Sequence, residues 1–436
     1  MRRDPPLMSF NFRLPAPAVR TDLFPAAVFA LICAAPLFLV TIRGWASVVL
    51  FVCGVGAAAC LLLRRPGQPI QATEIRAARW VAVTLLLPVT AILLSSAFRG
   101  KFSGSLFDSP SRFVIAIPVL LLVLRHRFSV ARWLQYTIPA TLVLTLLLLR
   151  FVEAPVYWGD GRMATYFADP LTLGQYAITL GLMSLASIHL FGKDSYALVA
   201  LKCAGAAIGF YLSIRSGSRS GWLAVPIVLA FLMLSRRHKL PGREGIVALV
   251  AVVAVLVAGY DLSPTIHARA NQALLDYMSY NWTGIAPDTS VGLRITFLRL
   301  GAHLVATDPL RGFGDNGFAS ALNVPALASF ASPFARDYAL HAGFHNEVMT
   351  NAVRSGVWGI VATLALFIVP LLVFCRAMRS PSRERIANGT LGVVFMIGQI
   401  VSSMSTEVFN LKFTASFAAV FIAALCGASI ARYGQE

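Results

Sequence analysis

Long runs of apolar residues, each close to the length of one membrane crossing, recur along almost the whole chain. A transmembrane helix needs about 20 predominantly apolar residues, whereas strands of outer-membrane β-barrels are about ten residues long and alternate polar with apolar positions. The runs match the first pattern and not the second. They predict an all-α, polytopic membrane protein of about twelve transmembrane helices, at residues 23–41, 45–63, 77–98, 113–124, 133–151, 171–191, 196–214, 221–235, 245–260, 353–375, 391–404 and 413–430.

The amino-acid composition supports this fold class. Of the 436 residues, 57% are hydrophobic and 13% are charged, whereas a soluble domain carries about 25% charged residues. This balance excludes a water-soluble globule. All six cysteines fall inside apolar runs without the spacing of metal ligands, so we interpret them as packing residues and expect no disulfide framework.

Basic residues cluster in the even-numbered connections between the runs, which the positive-inside rule places in the cytoplasm. The odd-numbered connections then face outward, including one that is far longer than the others. The predicted organisation is nine transmembrane helices with short loops in residues 1–260, a long and partly helical periplasmic loop in residues 261–351, and three transmembrane helices in residues 352–436. Within the loop, residues 290–305 and 344–355 are candidate helices, each with one apolar face.

Lys and Arg number 37 against 19 Asp and Glu, a formal net charge of +18. In a membrane protein this excess first indicates anchoring at the cytoplasmic face, so we expect no nucleic-acid partner. The rule does not explain arginines in outward connections. Because a guanidinium group binds phosphate or carboxylate through two parallel hydrogen bonds, these arginines predict an anion site; pairing with nearby aspartates or with headgroups of membrane lipids is the alternative. They are Arg150, Arg162, Arg215, Arg219, Arg294, Arg299 and Arg311.

Two short segments carry the most specific candidate chemistry. Residues 214–222 read Ile-Arg-Ser-Gly-Ser-Arg-Ser-Gly-Trp, a short outward turn that suggests a phosphate cradle, with a helix-capping turn as the alternative. Residues 341–347 read His-Ala-Gly-Phe-His-Asn-Glu. Either His341 or His345 suits a general base near neutral pH, with Asn346 and Glu347 able to orient the imidazole. The alternative is an interfacial histidine without a catalytic role.

Motifs of other chemistries are absent from the sequence. It contains neither the nucleotide phosphate-binding loop, nor His-Glu-x-x-His, nor the Gly-x-Ser-x-Gly nucleophile elbow. We therefore expect no metal, no cofactor and no nucleotide.

Four segments follow one another in a recognisable order. They are residues 161–170 (Gly-Arg-Met-Ala-Thr-Tyr-Phe-Ala-Asp-Pro), residues 218–221 (Ser-Arg-Ser-Gly), residues 308–318 (Asp-Pro-Leu-Arg-Gly-Phe-Gly-Asp-Asn-Gly-Phe), and residues 345–347 (His-Asn-Glu) followed by residues 354–359 (Arg-Ser-Gly-Val-Trp-Gly). Together they resemble the O-antigen ligase and polymerase superfamily of bacterial inner-membrane glycosyltransferases, and the last two segments are the most specific. Asp169 stands where many members carry asparagine.

The resemblance implies a multi-pass protein of the bacterial inner membrane with its active site facing the periplasm. Such an enzyme takes a glycan from undecaprenyl diphosphate and transfers it to an acceptor hydroxyl, without a metal or a nucleotide sugar. The diphosphate leaving group needs charge stabilisation, and the hydroxyl needs a base. The family's loop histidine corresponds to His345, so the resemblance implies His345, rather than His341, as the base. Arg219 and Arg294 are expected to stabilise the diphosphate, and direct attack is expected to invert the anomeric carbon. Further expected substrate-binding residues are Arg215, Arg162, Arg150, Arg311, His341 and Asn346.

The acceptor decides between several functions that share this donor. An O-antigen ligase, with lipid A-core as acceptor, is favoured by the single dominant loop and by the chain ending soon after the last run. The alternatives on the same donor are an O-antigen polymerase and a protein O-oligosaccharyltransferase. A transporter of an anionic lipid or solute is the alternative of another class; it predicts two related halves and charged residues at membrane depth, whereas Lys202 alone lies well inside an apolar run.

Overall fold

The computed structural model describes residues 23–63, 67–152, 155–158, 161–236, 264–315 and 317–433. These residues are mostly helical, with a two-stranded antiparallel hairpin, β1 (Val156–Trp158) and β2 (Arg162–Ala164), between two helices. The helices are α1 (Leu23–Ala34), α2 (Trp45–Leu62), α3 (Ala72–Arg99), α4 (Asp108–Ile115), α5 (Ile117–His126), α6 (Val130–Phe151), α7 (Pro170–Ala186), α8 (Tyr196–Ser216), α9 (Ala224–Arg236), α10 (Pro264–Met278), α11 (Ser290–Thr307), α12 (Pro325–Ala328), α13 (Pro333–Ala342), α14 (Glu347–Met378), α15 (Arg383–Ser403) and α16 (Lys412–Ile430).

Eight helical segments in the described ranges are long and apolar enough to cross a membrane. They are α2, α3, the segment Gly104–His126 that contains α4 and α5, α6, α8, α14, α15 and α16. Each predicted apolar run inside the described ranges contains a helix, while the run at 245–260 lies outside them. The prediction of an all-α polytopic membrane protein is confirmed; α1 and α9 are shorter apolar helices.

Helices α7, α15 and α16 form the centre of the bundle and are buried along almost their whole length. Helix α16 is rich in alanine, serine and glycine. Small residues let helix backbones approach closely, which favours packing in lipid, where the hydrophobic effect does not drive helix association. The remaining long helices pack around this centre and expose large apolar side chains such as Trp80 and Leu372. The burial pattern therefore agrees with an outer ring that faces lipid.

The long loop folds into helices α10 to α13 with a hydrophobic core of its own. Phe297 and Leu300 of α11 pack with residues of the following segments, and Val353 of α14 belongs to the same core. The predicted helix at residues 290–305 is α11. Residues 344–355 contain the first part of α14, which is interrupted by non-helical backbone at Ser355 and Gly356.

The segment after α11 seats in that interruption of α14. The backbone N–H groups of Phe313 and Gly314 donate to the carbonyls of Val353 and Arg354, at 2.8 and 2.9 Å. In return Val357 donates to the carbonyl of Pro309, at 2.8 Å. These bonds use the backbone groups that the kink frees, and they fix the loop to the end of the bundle at which α14 begins.

Candidate functional site

A cavity of about 280 Å³ lies at this end of the bundle, between the hairpin, the start of α7, the end of α8 and the helices of the long loop. Its lining combines positive charge, aromatic rings and one histidine. The lining residues are Arg162, Leu171, Gly217, Arg219, Ser290, Leu293, Arg294, Phe297, Tyr338 and His345. Four of the residues singled out from the sequence, three arginines and a histidine, thus meet in one space.

The turn after α8 brings two arginines to the cavity. Gly217 ends α8 with φ +65°, in the left-handed region that glycine adopts at low cost. Arg162, on β2, donates from Nε to the carbonyl of Ser216, at 3.1 Å, and a Cβ at Gly217 would lie 3.2 Å from that Nε. Arg219 is the N-cap of the short 3₁₀ helix that follows, Ser220–Leu223. The glycine therefore lets the hairpin arginine cross the turn closely.

Arg294 approaches the same space from the loop. It lies in the second turn of α11, a helix capped by Thr289, whose Oγ1 accepts from the N–H of Gly292 at 3.1 Å. Burial lowers the pKa of the Arg294 guanidinium, and the like charges of Arg219 and Arg162 lower it further. Three guanidinium groups whose like charges meet at one cavity favour an anionic occupant.

His345 is held in place by ring stacking and by one hydrogen bond. Its φ is +47°, which is uncommon outside glycine, and its ring stacks with Phe297 and Tyr338, at centroid distances of 5.8 and 5.5 Å. Nδ1 lies 3.2 Å from the carbonyl oxygen of Ser405. Because a carbonyl only accepts, this bond assigns the proton to Nδ1 and leaves the lone pair on Nε2. Nε2 is buried and has no hydrogen-bond partner within the described ranges.

The surroundings of His345 favour its neutral form. Burial lowers its pKa, the hydrogen bond to Ser405 opposes this, the charge of Arg294 adds to the lowering and the charge of Asp169 opposes it; the net direction is downward. A histidine with a lowered pKa is largely unprotonated near neutral pH. The Nε2 atom is therefore available to accept a proton.

A buried glutamine links the turn that carries Arg219 to the segment that binds His345. Gln175, in the second turn of α7, donates from Nε2 to the Oγ atoms of Ser220 and Ser405, at 3.3 and 3.1 Å. Ser220 is the neighbour of Arg219, and Ser405 is the residue whose carbonyl binds His345. One side chain of the central helix thus fixes the distance between the two parts of the site.

The segment 404–411 that carries Ser405 is itself anchored on α14. Glu347 is buried in the first turn of α14 and accepts from the N–H of Phe409 with Oε2, at 3.0 Å, and from Asn351 with Oε1, at 2.8 Å. Thr350 donates to Oε1 of Glu407, at 2.7 Å. These bonds make Glu347 a support of the segment behind the histidine.

Asn346 and Glu347 were expected to orient the imidazole of His345, but neither side chain bonds to that ring. Asn346 is the N-cap of α14, and its Oδ1 accepts from the N–H of Met349 at 2.9 Å. Its side chain satisfies a free helix N–H group there and does not bond to the ring, and Glu347 bonds to Asn351 and Phe409 instead. The carbonyl of Ser405 orients His345.

Two of the other predicted arginines are exposed at the surface. Arg150 lies in the last turn of α6, with its guanidinium 5.7 Å from the centroid of the Phe151 ring. Arg215 lies in the last turn of α8. Neither lines the cavity.

Arg311 and His341 also lie outside the cavity. Nε of Arg311 is 3.7 Å from Oδ1 of Asp308, and its carbonyl accepts from Ser95. Nδ1 of His341 lies 2.9 Å from the carbonyl oxygen of Asp337 on the exposed side of α13. Like Asn346, these residues are not among those that the structure brings to the cavity.

Within the described ranges, no cluster of three or more His, Cys, Asp or Glu side chains has a metal-binding arrangement. The cationic lining of the cavity fits an anion instead.

The described residues therefore define a polytopic helical membrane protein with a cationic cavity lined also by a half-buried histidine whose pKa is lowered. The model of the O-antigen ligase family matches residues 204–364, a range that contains Arg219, Arg294 and His345. This match confirms the resemblance to the O-antigen ligase superfamily. An uncharacterized protein from Haemophilus influenzae is similar to this chain, with 23% identity over 297 residues that cover 67% of the chain and 72% of that protein.

Proposed function

We propose that this protein is a glycosyltransferase that moves a glycan from undecaprenyl diphosphate to a hydroxyl of lipid A-core, the reaction of an O-antigen ligase. The observation that carries the proposal is that Arg162, Arg219, Arg294 and His345 line one cavity. The family match over residues 204–364 supports the reaction class, since its members are ligases and polymerases that use lipid-linked glycans.

The arginines serve the donor. When the bond between the anomeric carbon and the diphosphate oxygen breaks, negative charge develops on that oxygen. Arg219 and Arg294 stabilise this charge through bidentate, charge-assisted hydrogen bonds, and Arg162 extends the cationic wall. The lowered pKa of Arg294 supports this role, because the mutual repulsion of the three guanidinium groups is relieved when a dianionic group enters.

His345 serves the acceptor. As the acceptor oxygen attacks the anomeric carbon from the face opposite the diphosphate, its proton passes to Nε2 of His345 and the configuration inverts. The Ser405 carbonyl supports the reaction because it holds the proton on Nδ1 and stabilises the imidazolium that forms. The protonated ring then returns the proton to water or to the released diphosphate, which completes the cycle without a metal ion.

The site belongs at the periplasmic face of the bacterial inner membrane. The arginine clusters that the positive-inside rule places in the cytoplasm include Arg125 and Arg127 at the end of α5 and Arg376 and Arg379 at the end of α14. The cavity lies at the start of α14, which is the other end of the bundle. This arrangement supports a site that receives a glycan already carried across the membrane.

The decisive experiment offers three acceptors to the purified full-length protein in detergent, with a carrier-linked glycan as donor, EDTA present and ATP absent. We expect transfer to lipid A-core with inversion at the anomeric carbon. Transfer only to a second carrier-linked glycan would instead identify a polymerase, and transfer only to a serine-containing protein an O-oligosaccharyltransferase. A protein that forms no product but moves the carrier lipid or another anion across proteoliposomes would be a transporter.

A further inference from the structure

A second cavity, of about 420 Å³, lies at the end of the bundle opposite His345. It is bounded by the start of α3, the last turns of α14, the start of α15 and the end of α16. Its lining divides into two parts. One part is apolar and includes Trp80 and Leu372, and the other carries the arginines Arg376, Arg385 and Arg432.

Positive charge exceeds negative charge in the lining of this cavity, with three arginines and one glutamate. Its one lining carboxylate, Glu74, forms a salt bridge with Arg127, which lies outside the lining. The same carboxylate also accepts from the backbone N–H groups of Gln71 and Arg432, at 2.8 and 2.9 Å. Glu74 is therefore already paired. Arg376 and Arg432 are exposed, and within the described ranges the Arg432 guanidinium forms one hydrogen bond, from Nη2 to Oγ1 of Thr73, at 3.4 Å. The cavity has charge complementarity to an anion.

The apolar part of the cavity indicates what kind of anion fits. Trp80 and Leu372 are 65% and 57% exposed on the outer surface of two membrane-spanning helices, where the surrounding medium is lipid rather than water. Tryptophan is enriched at the boundary between acyl chains and headgroups. A ligand that contacts both parts at once needs a negative headgroup joined to an apolar chain.

We propose that this cavity is a binding site for an anionic phospholipid. The phosphate group lies against Arg376 and Arg432, with Arg385 behind it, and an acyl chain runs along Trp80 and Leu372. Nε of Arg385 donates to the carbonyl of Ser429 at 3.0 Å. This hydrogen bond holds the Arg385 guanidinium at the start of α15, in position to contact the phosphate. Basic pockets between transmembrane helices bind lipid headgroups in this way.

Native mass spectrometry of the full chain in detergent tests the proposal, with phosphatidylglycerol and phosphatidylcholine as probes. We expect phosphatidylglycerol to bind tighter and the double variant Arg376→Gln/Arg432→Gln to weaken its binding by about tenfold or more. The matched control is Arg379→Gln, because Arg379 is exposed at the end of the same helix but does not line the cavity. This control is expected to bind as the unmodified protein does.

Three results would overturn the proposal. Equal binding of phosphatidylcholine would remove the headgroup selectivity, and an equal loss in Arg379→Gln would show that general surface charge holds the lipid. Displacement of phosphatidylglycerol by water-soluble glycerol phosphate at similar concentrations would show that the cavity binds free phosphate esters rather than a lipid. The variants exchange exposed side chains, and unchanged elution in gel filtration would confirm that they are folded.

Discussion

Two motifs of this protein have the same local plan: a basic residue, a glycine two positions later, and a second basic residue two positions further on. Arg215 and Arg219 flank Gly217, and His341 and His345 flank Gly343. In each motif the first residue is exposed in the last turn of a helix, and the second lines the cavity. Position relative to the glycine, rather than residue type, therefore decides which side chain reaches the site.

The physical reason lies in the backbone of the two glycines. Gly217 has φ +65° and Gly343 has φ +74°, values that a residue with a Cβ atom adopts only at a cost. Each glycine ends a helix, so the chain turns away from the helix axis after it. Arg215 and His341, two positions before each glycine, stay on the outer surface of their helices. Arg219 and His345, two positions after it, enter the space between elements.

Substitutions in the histidine motif test most strongly whether only the second residue of each motif takes part in the reaction. We expect His345→Gln to lower the rate of glycan transfer by about 10²–10⁴, because the acceptor hydroxyl then loses its base. His341→Gln should stay near the rate of the unmodified protein, since that ring is exposed and lies outside the cavity. Initial rates with carrier-linked glycan and lipid A-core measure both. Equal losses in the two variants would contradict the assignment of the base.

The arginine motif should give the next largest effect. Arg219→Ala removes a cation from the developing diphosphate charge, and the expected loss in rate is about 10²–10³. Arg215→Ala is the matched control, with the same residue type in the same turn. Both variants should reach the membrane in normal amounts, which an immunoblot of membrane fractions checks. Near-normal transfer by Arg219→Ala would rule out its contact with the leaving group.

The sequence predicts the helices well and the site only in part. Apolar runs of membrane length specify helices by themselves, because lipid leaves no other partner for backbone groups. Residue type and the predicted outward connections also single out Arg219, Arg294 and His345, which the structure places around one cavity; their roles stay predictions. The same signals do not separate these from Arg150 and Arg311, which lie on the same side but outside the cavity, because distance on that side depends on tertiary packing.

The parts missed by sequence reasoning have no side-chain signal. The hairpin strands are three residues long, too short for a periodic pattern. Ser405 acts through its backbone carbonyl, which every residue possesses, and it lies 60 positions from His345. Gln175 lies in an apolar run, and a single amide there does not change the prediction of a transmembrane helix. A polar residue in a buried helix is the one signal that could have indicated it.

Substituting the glycines tests how far the backbone turn itself positions the residues of the site. Gly217 and Gly100 end α8 and α3 with the same angles, φ 65° and ψ 19°, but a Cβ would lie 3.2 Å from Arg162 at Gly217 and meet nothing within 4 Å at Gly100. We expect both alanine variants to lose about 1–2 kcal/mol of stability. Gly217→Ala alone should lose activity, by about tenfold, because it displaces Arg162.

Thermal unfolding in detergent and transfer rates together test this expectation. Gly343→Ala should be the most damaging of the three, since its φ of 74° and ψ of −169° are almost exclusive to glycine and an added Cβ would clash with Oε1 of Glu407. If Gly217→Ala and Gly100→Ala lose activity equally, the close passage of Arg162 over the turn has no part in transfer.

The smallest expected effect is a shift in pH dependence, and it tests whether His345 is the titrating group. The base works when unprotonated, so the rate falls as the pH drops through its pKa. The negative charge of Asp169 raises that pKa and the positive charge of Arg294 lowers it. Asp169→Asn should therefore move the acid limb of kcat/KM to lower pH, and Arg294→Gln should move the limb of its residual activity to higher pH.

The two variants are expected to shift the acid limb in opposite directions, and a general loss of structure would not produce both shifts. Asp169 is the N-cap of α7 and accepts from the N–H groups of Leu171 and Thr172; asparagine caps helices equally well, so Asp169→Asn removes the charge and keeps the helix start. A fold that loosened in either variant would expose the ring to water and raise its pKa in both. Shifts in the same direction, or no shift in Asp169→Asn, would mean that a group other than His345 controls the acid limb.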